Sequence, residues 1–219
     1  FLVVGIRQTV FDFSTIGIPQ DIRNCQACHT GPVASNWMNR PAVAPCTSCH
    51  DNVDAKTGTN HPGGPLVEGS CAGCHQPQGE EFGPSVAGAH VNPLKAAQMA
   101  GVVFDILKIE GGKPGDRPTV TFSVKNKKGE PVDASQMNNL RLVLAWPTTD
   151  YRVVVEEDVR KASSQGNGVF TYQFRYTIPA DAKGTGAIAV QGYKEYNLKR
   201  GNGNIIKGVR DVGLNIVKY

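Results

Sequence analysis

The chain of 219 residues contains no long apolar run, and only 7% of its residues are aromatic. No segment approaches the roughly 20 apolar residues that a membrane-spanning helix needs. The first residues also lack the basic leader, the full apolar stretch and the cleavage site of a signal peptide. We therefore expect the chain to be a processed product or, as the favoured alternative, one piece of a longer polypeptide.

Apolar side chains are scarce between Asn24 and His90, where Leu, Ile, Val and Phe are too few to build a hydrophobic core. Gly, Pro, Asn, Asp and Thr occupy this stretch with almost no hydrophobic periodicity, which favours loops and short helices. Because apolar burial is the main driving force of folding, something other than side chains must fill the interior of this segment.

Charge of one sign is not concentrated on any one element. Residues 1–100 carry a net charge of −2 and residues 101–219 carry +6. A nucleic-acid-binding protein usually clusters such an excess, whereas here it is spread along strand-like segments. We therefore expect a solvated surface and no nucleic-acid partner.

Cysteine is absent from the second half of the chain, and all six cysteines lie between positions 25 and 74. They form three motifs of identical spacing: Cys25-Gln26-Ala27-Cys28-His29, Cys46-Thr47-Ser48-Cys49-His50 and Cys71-Ala72-Gly73-Cys74-His75. Cys-x-x-Cys-His is the attachment signature of c-type haem. Its two thiols form thioethers with two vinyl groups on one porphyrin edge, and the adjacent imidazole binds the iron. The motifs therefore predict three covalently bound haem c groups, which would also fill the interior of this segment.

Three other uses of paired cysteines are less consistent with this pattern. A zinc site uses Cys-x-x-Cys pairs, but nothing in zinc coordination requires a histidine directly after each pair. With 5 His in 219 residues, a histidine follows a given cysteine by chance only about 2% of the time, so three such coincidences are improbable. A redox dithiol would occur once beside a βαβ unit, and a disulfide framework would rarely repeat one spacing.

The histidines supply the expected axial ligands. His29, His50 and His75 are predicted to be proximal ligands, one for each motif. The two remaining histidines, His61 and His90, lie in or just beyond the same segment, and we expect both to be distal ligands.

One iron is left without a histidine from this chain. Met38 and Met99 are candidate axial ligands for it, although methionine more often serves as a filler of cores and loops. Trp37 is a candidate for packing on a haem face or on the surrounding loop.

The second half of the chain alternates apolar and polar residues with the period of half-buried strands. Strands are predicted around 119–124, 140–146 and 170–176, with further strands at 103–109, 186–194 and 209–218. About seven antiparallel strands predict a Greek-key sandwich or barrel, immunoglobulin-like in outline. We thus expect a haem-packed, loop-rich domain with short helices at 1–98 and an all-β domain at 101–219.

Several stretches resemble the OmcA/MtrC (decahaem) family of outer-membrane and extracellular multihaem cytochromes. The similar stretches are Asp12-Phe13-Ser14, residues 19–25, residues 55–65 around His61, Gly88-Ala89-His90, residues 113–122 and residues 178–185. The haem motifs are generic to c-type cytochromes, whereas the loops around His61 and His90 are more specific. The chain is similar to the last three haem sites of a five-haem domain followed by a β domain.

The resemblance implies electron transfer by mostly bis-histidine haems at the outer-membrane surface or outside the cell, with the periplasm as the alternative. Implied partners are other cytochromes, further segments of the same wire, minerals and soluble shuttles, with a peripheral membrane location and possible polymerisation. It also implies that the missing sixth ligand, expected to be that of the haem on Cys25 and Cys28, comes from an upstream segment or a neighbouring subunit. Met38 is the second choice.

Two other functions stay open. A multihaem reductase would need an open iron position with acids and bases above it; one iron lacks a second histidine, but no dense acid/histidine cluster is visible in the sequence. A surface-binding module would use the β domain to hold a partner or a polysaccharide, with auxiliary haems. We expect an electron carrier and not an enzyme.

Overall fold

The computed structural model describes residues 2–4, 10–12, 23–27 and 29–219. Cys28 and most of the similar stretches at 12–14 and 19–25 lie outside the described residues. The chain divides into two compact units. One contains the residues up to Ala96 together with Lys199–Ile205, and the other contains Ala97–Leu198 and Ile206–Tyr219.

The described residues before Ala97 form short elements. Strands β1 (Leu2–Val4) and β2 (Val10–Asp12) pair in an antiparallel manner. The α-helices described here are α1 (Asn36–Asn39), α2 (Val43–Thr47) and α3 (Val86–Ala89). Described 3-10 helices lie at Cys25–Ala27, Gly31–Val33, Cys71–Gly73 and Pro93–Lys95. Within the described ranges, no helix is long and apolar enough to cross a membrane.

The fully described part from Ala97 to Tyr219 is mostly β. Its strands are β3 (Val103–Glu110), β4 (Thr119–Lys125), β5 (Asn139–Trp146), β6 (Val153–Asp158), β7 (Ser163–Gly166), β8 (Val169–Gln173), β9 (Ala187–Lys199) and β10 (Ile205–Lys218). A 3-10 helix at Ala134–Gln136 precedes β5. The strands form two antiparallel four-stranded sheets, ordered β10-β9-β5-β6 and β3-β4-β8-β7.

One hydrophobic core joins the two sheets, as in a β-sandwich. Alternate residues of β4 and β5 have no solvent exposure, namely Val120, Phe122, Val124, Leu140, Leu142 and Leu144. Phe104 of β3, Phe170 of β8 and Ile188 of β9 complete the same core. The two-sheet β architecture that the alternation predicted is therefore confirmed.

Most predicted strands are present, but the third alternating segment ends early. The prediction extended it over 170–176, whereas β8 ends at Gln173. The cause is Glu157 on β6, whose carboxylate accepts the backbone N–H groups of Arg175 and Tyr176 at 3.0 and 3.1 Å. Those N–H groups bond to a side chain instead of a neighbouring strand, so the extended ladder stops before them.

Two strands of the β unit, β6 and β7, were not predicted, for different reasons. β6 carries the acidic run Glu156-Glu157-Asp158, and acidic residues are depleted in strands. β7, Ser163–Gly166, is exposed along its whole length and has no apolar residue to reveal a period. It forms a hairpin with β8 through Asn167 and Gly168, whose positive φ values of 51° and 72° suit a two-residue turn.

Glu157 gives the β-sandwich a pH-dependent contribution to stability. Glu157 is 8% exposed, and its carboxylate also accepts a hydrogen bond from the Tyr172 hydroxyl at 2.6 Å. Burial alone would raise the pKa of Glu157, but the hydrogen bonds from Tyr172 and from the Arg175 and Tyr176 N–H groups outweigh burial and lower it. The stabilisation is therefore present above the carboxyl's unfolded pKa and is lost as the pH falls through its lower folded value.

We predict that Glu157→Gln destabilises the sandwich by about 1–3 kcal/mol at neutral pH, because an amide NH2 replaces one acceptor that faces buried donors. Glu156→Gln is the matched control, since the neighbouring Glu156 side chain is 45% exposed. Denaturant unfolding followed by circular dichroism measures both. The difference between Glu157→Gln and the wild type should shrink below about pH 4; equal stability of both variants at pH 7 would contradict this role.

Candidate haem site

The three motifs share one local structure, a single helical turn. In each, the backbone N–H of the histidine donates to the carbonyl of the first cysteine at 2.9 Å: His29 to Cys25, His50 to Cys46 and His75 to Cys71. Residues four apart on a helical turn lie on the same face, so each first thiol and its imidazole point to the same side. This is the arrangement that attachment of one porphyrin by thioether and imidazole requires.

The described cysteines are available for covalent attachment. Cys25, Cys46, Cys49, Cys71 and Cys74 are all free thiols, and Cys28 lies outside the described residues. Cys46, Cys49 and Cys74 are exposed, whereas Cys25 and Cys71 are half-buried. Burial raises the pKa of the Cys25 thiol.

Four of the five histidines form two pairs. The ring centroids of His50 and His90 lie 6.2 Å apart, and those of His61 and His75 are also 6.2 Å apart. The ring planes meet at 65° in the first pair and 36° in the second. Imidazole nitrogen binds a transition metal at about 2 Å and the ring centre lies about 1 Å further, so two imidazoles on opposite sides of one metal have centroids about 6 Å apart.

Hydrogen bonds fix the tautomer of three of these four rings. Nδ1 of His61 lies 2.7 Å from the Gly64 carbonyl, Nδ1 of His75 lies 2.8 Å from that of Pro84, and Nδ1 of His90 lies 2.7 Å from that of Val86. A carbonyl can only accept, so each Nδ1 carries the proton and each Nε2 keeps the lone pair that binds a metal.

His90 is positioned by the short helix α3. The buried Ser85 caps this helix, and its hydroxyl oxygen accepts the Gly88 N–H at 3.0 Å. His90 follows the last helical residue, and its ring bonds back to the Val86 carbonyl within the same turn. Cap, helix and imidazole thus form one local unit.

His61 is positioned by a loop that is organised around Asp54. The carboxylate of Asp54 accepts the backbone N–H groups of Lys56 and Thr57 at 2.8 and 3.0 Å, and these bonds to Thr57 and Lys56 lower the pKa of Asp54. The His61 N–H then donates to the Gly58 carbonyl at 2.9 Å. Neither Asp54 nor Ser85 was identified from the sequence, although the aspartate and glycine of Asp54-Ala55-Lys56-Thr57-Gly58 form a recognisable turn signal.

A cavity of about 410 Å³ brings both histidine pairs together. His50, His90, His61 and His75 all border it, as do the thiol-bearing residues Cys46, Cys71 and Cys74. A second cavity of about 300 Å³ is bordered by Cys25, Trp37, Met38 and, again, His90. Among the described residues, no group of three or more His, Cys, Asp or Glu is placed to hold a metal ion. A pair of imidazoles is nevertheless enough for a haem iron, because the porphyrin itself supplies four of the six ligands.

The predicted ligands of the first motif are not brought together in the same way. His29 is exposed and belongs to neither histidine pair. Met38 borders the cavity beside Cys25, and its sulfur accepts a hydrogen bond from Gln78 Nε2 at 3.3 Å. Met99 is 5% exposed and belongs to the second unit.

Side chains contribute almost nothing to a core in residues 23–27 and 29–96. Within these two ranges, Ala96 is the only buried hydrophobic residue. The hydrophobic core cluster of the described residues begins at Val102. The candidate site therefore has cavities bordered by imidazoles and thiols where other domains have packed side chains.

A scan with protein-family models finds no match to this chain, and a search of curated protein sequences finds none. The resemblance to the OmcA/MtrC family stays a prediction based on the motifs and loops named above. The arguments for the site rest on the spacing of the motifs and on the geometry of the histidines.

Proposed function

We propose that this chain is a multihaem c-type cytochrome that transfers electrons through three covalently attached haems. The observation that carries the proposal is the presence of two imidazole pairs, each with centroids 6.2 Å apart, whose proximal members belong to Cys-x-x-Cys-His motifs. A segment without a side-chain core supports the same conclusion, because three porphyrins would supply the missing apolar volume.

Each set of ligands follows from the pairing. Cys46 and Cys49 would attach one haem between His50 and His90, and Cys71 and Cys74 would attach another between His75 and His61. When bound, a haem iron accepts and releases one electron. The chain orients the imidazoles of His61 and His90, fixes their tautomers through backbone carbonyls and keeps the two sites beside one cavity.

The haem on Cys25 and Cys28 needs a different second ligand, because the four histidines other than His29 already form the two pairs. We propose that this ligand comes from outside residues 1–219, from an upstream segment or a neighbouring subunit. Met38 is the alternative within the chain, and its position beside Cys25 supports that role. A vacant position here would instead favour the reductase hypothesis, which binding of carbon monoxide or nitrite would reveal.

The β unit is proposed to be an immunoglobulin-like spacer or docking domain. Sheets ordered β3-β4-β8-β7 and β10-β9-β5-β6 correspond to the A-B-E-D and G-F-C-C′ orders of that fold, which supports the topology. The surface-binding alternative would be tested by deleting residues 101–219 and comparing electron transfer with surface attachment.

The site of action is proposed to be the outer-membrane surface or the exterior of a bacterial cell, with the periplasm as the alternative. Other cytochromes, further segments of the same wire, minerals and soluble shuttles are the proposed partners. These proposals rest on the resemblance of the loops around His61 and His90 to the OmcA/MtrC family.

We predict that the chain, produced with a cytochrome c maturation system, carries the mass of three haem groups covalently. His61→Ala and His90→Ala should each retain all three haems, because the thioethers remain, while one haem per variant loses its low-spin signature. Electron paramagnetic resonance of the oxidised protein measures the spin states. Unchanged spectra in both variants would contradict the pairing, and absence of covalent haem would contradict the proposed function.

The two paired sites should differ in reduction potential. A hydrogen bond from Nδ1–H to a carbonyl makes an imidazole a stronger donor, which favours ferric iron and lowers the potential. Both rings of the His61–His75 pair have such a bond, whereas in the His50–His90 pair only His90 has one within the described residues.

We therefore predict a lower potential for the haem between His61 and His75. In spectroelectrochemical titrations, His61→Ala and His90→Ala should each lose one low-spin component. The component lost in His61→Ala should have the lower potential of the two. The reverse assignment would show that another factor, such as solvent exposure of the haems, determines the order.

A further inference from the structure

We infer that Gly63 is a positioning residue that sets the orientation of the distal imidazole of His61; the inference rests on the proposed function. A Cβ atom at position 63 would lie 2.9 Å from Cε1 of His61, 3.4 Å from Nδ1 and 3.7 Å from Nε2. These are the three nearest atoms to that position. The His61 ring therefore occupies the space that a side chain at position 63 would need.

The ring cannot move aside without losing the bonds that orient it. Its Nδ1–H donates to the Gly64 carbonyl at 2.7 Å, and the Gly64 N–H donates back to the His61 carbonyl at 2.9 Å. Gly64 cannot shift away from the ring, because its backbone packs closely against Gly58. A Cβ on Gly58 would lie 2.2 Å from the Gly64 carbonyl carbon. A methyl group at position 63 must therefore displace the imidazole or break its hydrogen bond.

The displacement would affect the haem between His61 and His75 and not the haem between His50 and His90. His61 forms its pair with His75, whereas His90, the distal partner of His50, is positioned by α3 and its Ser85 cap. Metal–imidazole bonds are short and directional, so a ring shifted by a few tenths of an ångström binds more weakly. The proximal bond of His75 would remain, and the haem would keep its covalent attachment.

Gly73 supplies a matched control for the same haem. It lies between Cys71 and Cys74, and a Cβ there would have no atom within 4 Å. The corresponding positions of the other motifs are Ala27 and Ser48, so a side chain is compatible with the motif. Gly73→Ala thus makes the same chemical change at the same haem site without contacting a ligand.

The experiment compares the haem-bearing wild type, Gly63→Ala and Gly73→Ala by haem content, electron paramagnetic resonance and optical titration with free imidazole. In Gly63→Ala, one haem should become high-spin or weakly ligated while all three remain attached, and free imidazole should restore the low-spin signature. Gly73→Ala should match the wild type. Unchanged spectra in Gly63→Ala, an equal loss in both variants, or no response to imidazole would overturn the inference.

A double variant keeps the test decisive if Gly63→Ala folds poorly. In His61→Ala/Gly63→Ala the methyl group no longer meets an imidazole, so this protein should fold and carry haem as His61→Ala does. Poor folding of the double variant would overturn the inference, because the cost would then have another origin. A wild type without low-spin haem would contradict the proposed function and not the role of Gly63 alone.

Discussion

The central constraint on this molecule is the scarcity of apolar side chains between Asn24 and His90. A folded segment must bury enough apolar surface to offset the loss of chain entropy, and among residues 24–27 and 29–90 no hydrophobic side chain is buried. The β unit satisfies the constraint with side chains, from Val102 to Val190. We propose that residues 24–90 satisfy it with porphyrins and with the bonds that hold them.

Local hydrogen bonds between residues 24 and 90 would prepare the chain for those groups. Each motif forms one helical turn with the same 2.9 Å bond, and three imidazoles bond through Nδ1 to carbonyls within nine residues of themselves. Such short-range bonds do not need a packed core, so they can hold thiols and imidazoles in place within a loop-rich chain. The irons would then join segments that are distant in sequence, such as His50 with His90.

Part of this arrangement could be predicted from the sequence. The motif spacing places each histidine four residues after a cysteine, and the period of two predicted β4 and β5 because their alternate residues face one core. These features depend on neighbours in sequence. The proximity of His61 to His75 and of His90 to His50 depends on the path of glycine- and proline-rich loops, which carry no periodic signal.

Other features escaped prediction because they depend on which side-chain and backbone atoms meet in space. The carboxylate of Glu157 binds the Arg175 and Tyr176 N–H groups across 18 or more residues, and so ends β8 where alternation alone would extend it. Gly63 looks in sequence like an ordinary turn glycine beside Gly64, but its missing Cβ makes room for the His61 ring. Both cases required knowledge of which groups meet in space.

The most direct test of the account is hydrogen exchange of the chain with and without attached haem. Haem-free protein can be produced by omitting the cytochrome maturation system. The account predicts that residues 23–96 lose most of their amide protection without haem while the β-sandwich strands keep theirs. Retention of full protection by residues 23–96 in the haem-free chain would contradict the claim that haem supplies the core of this segment.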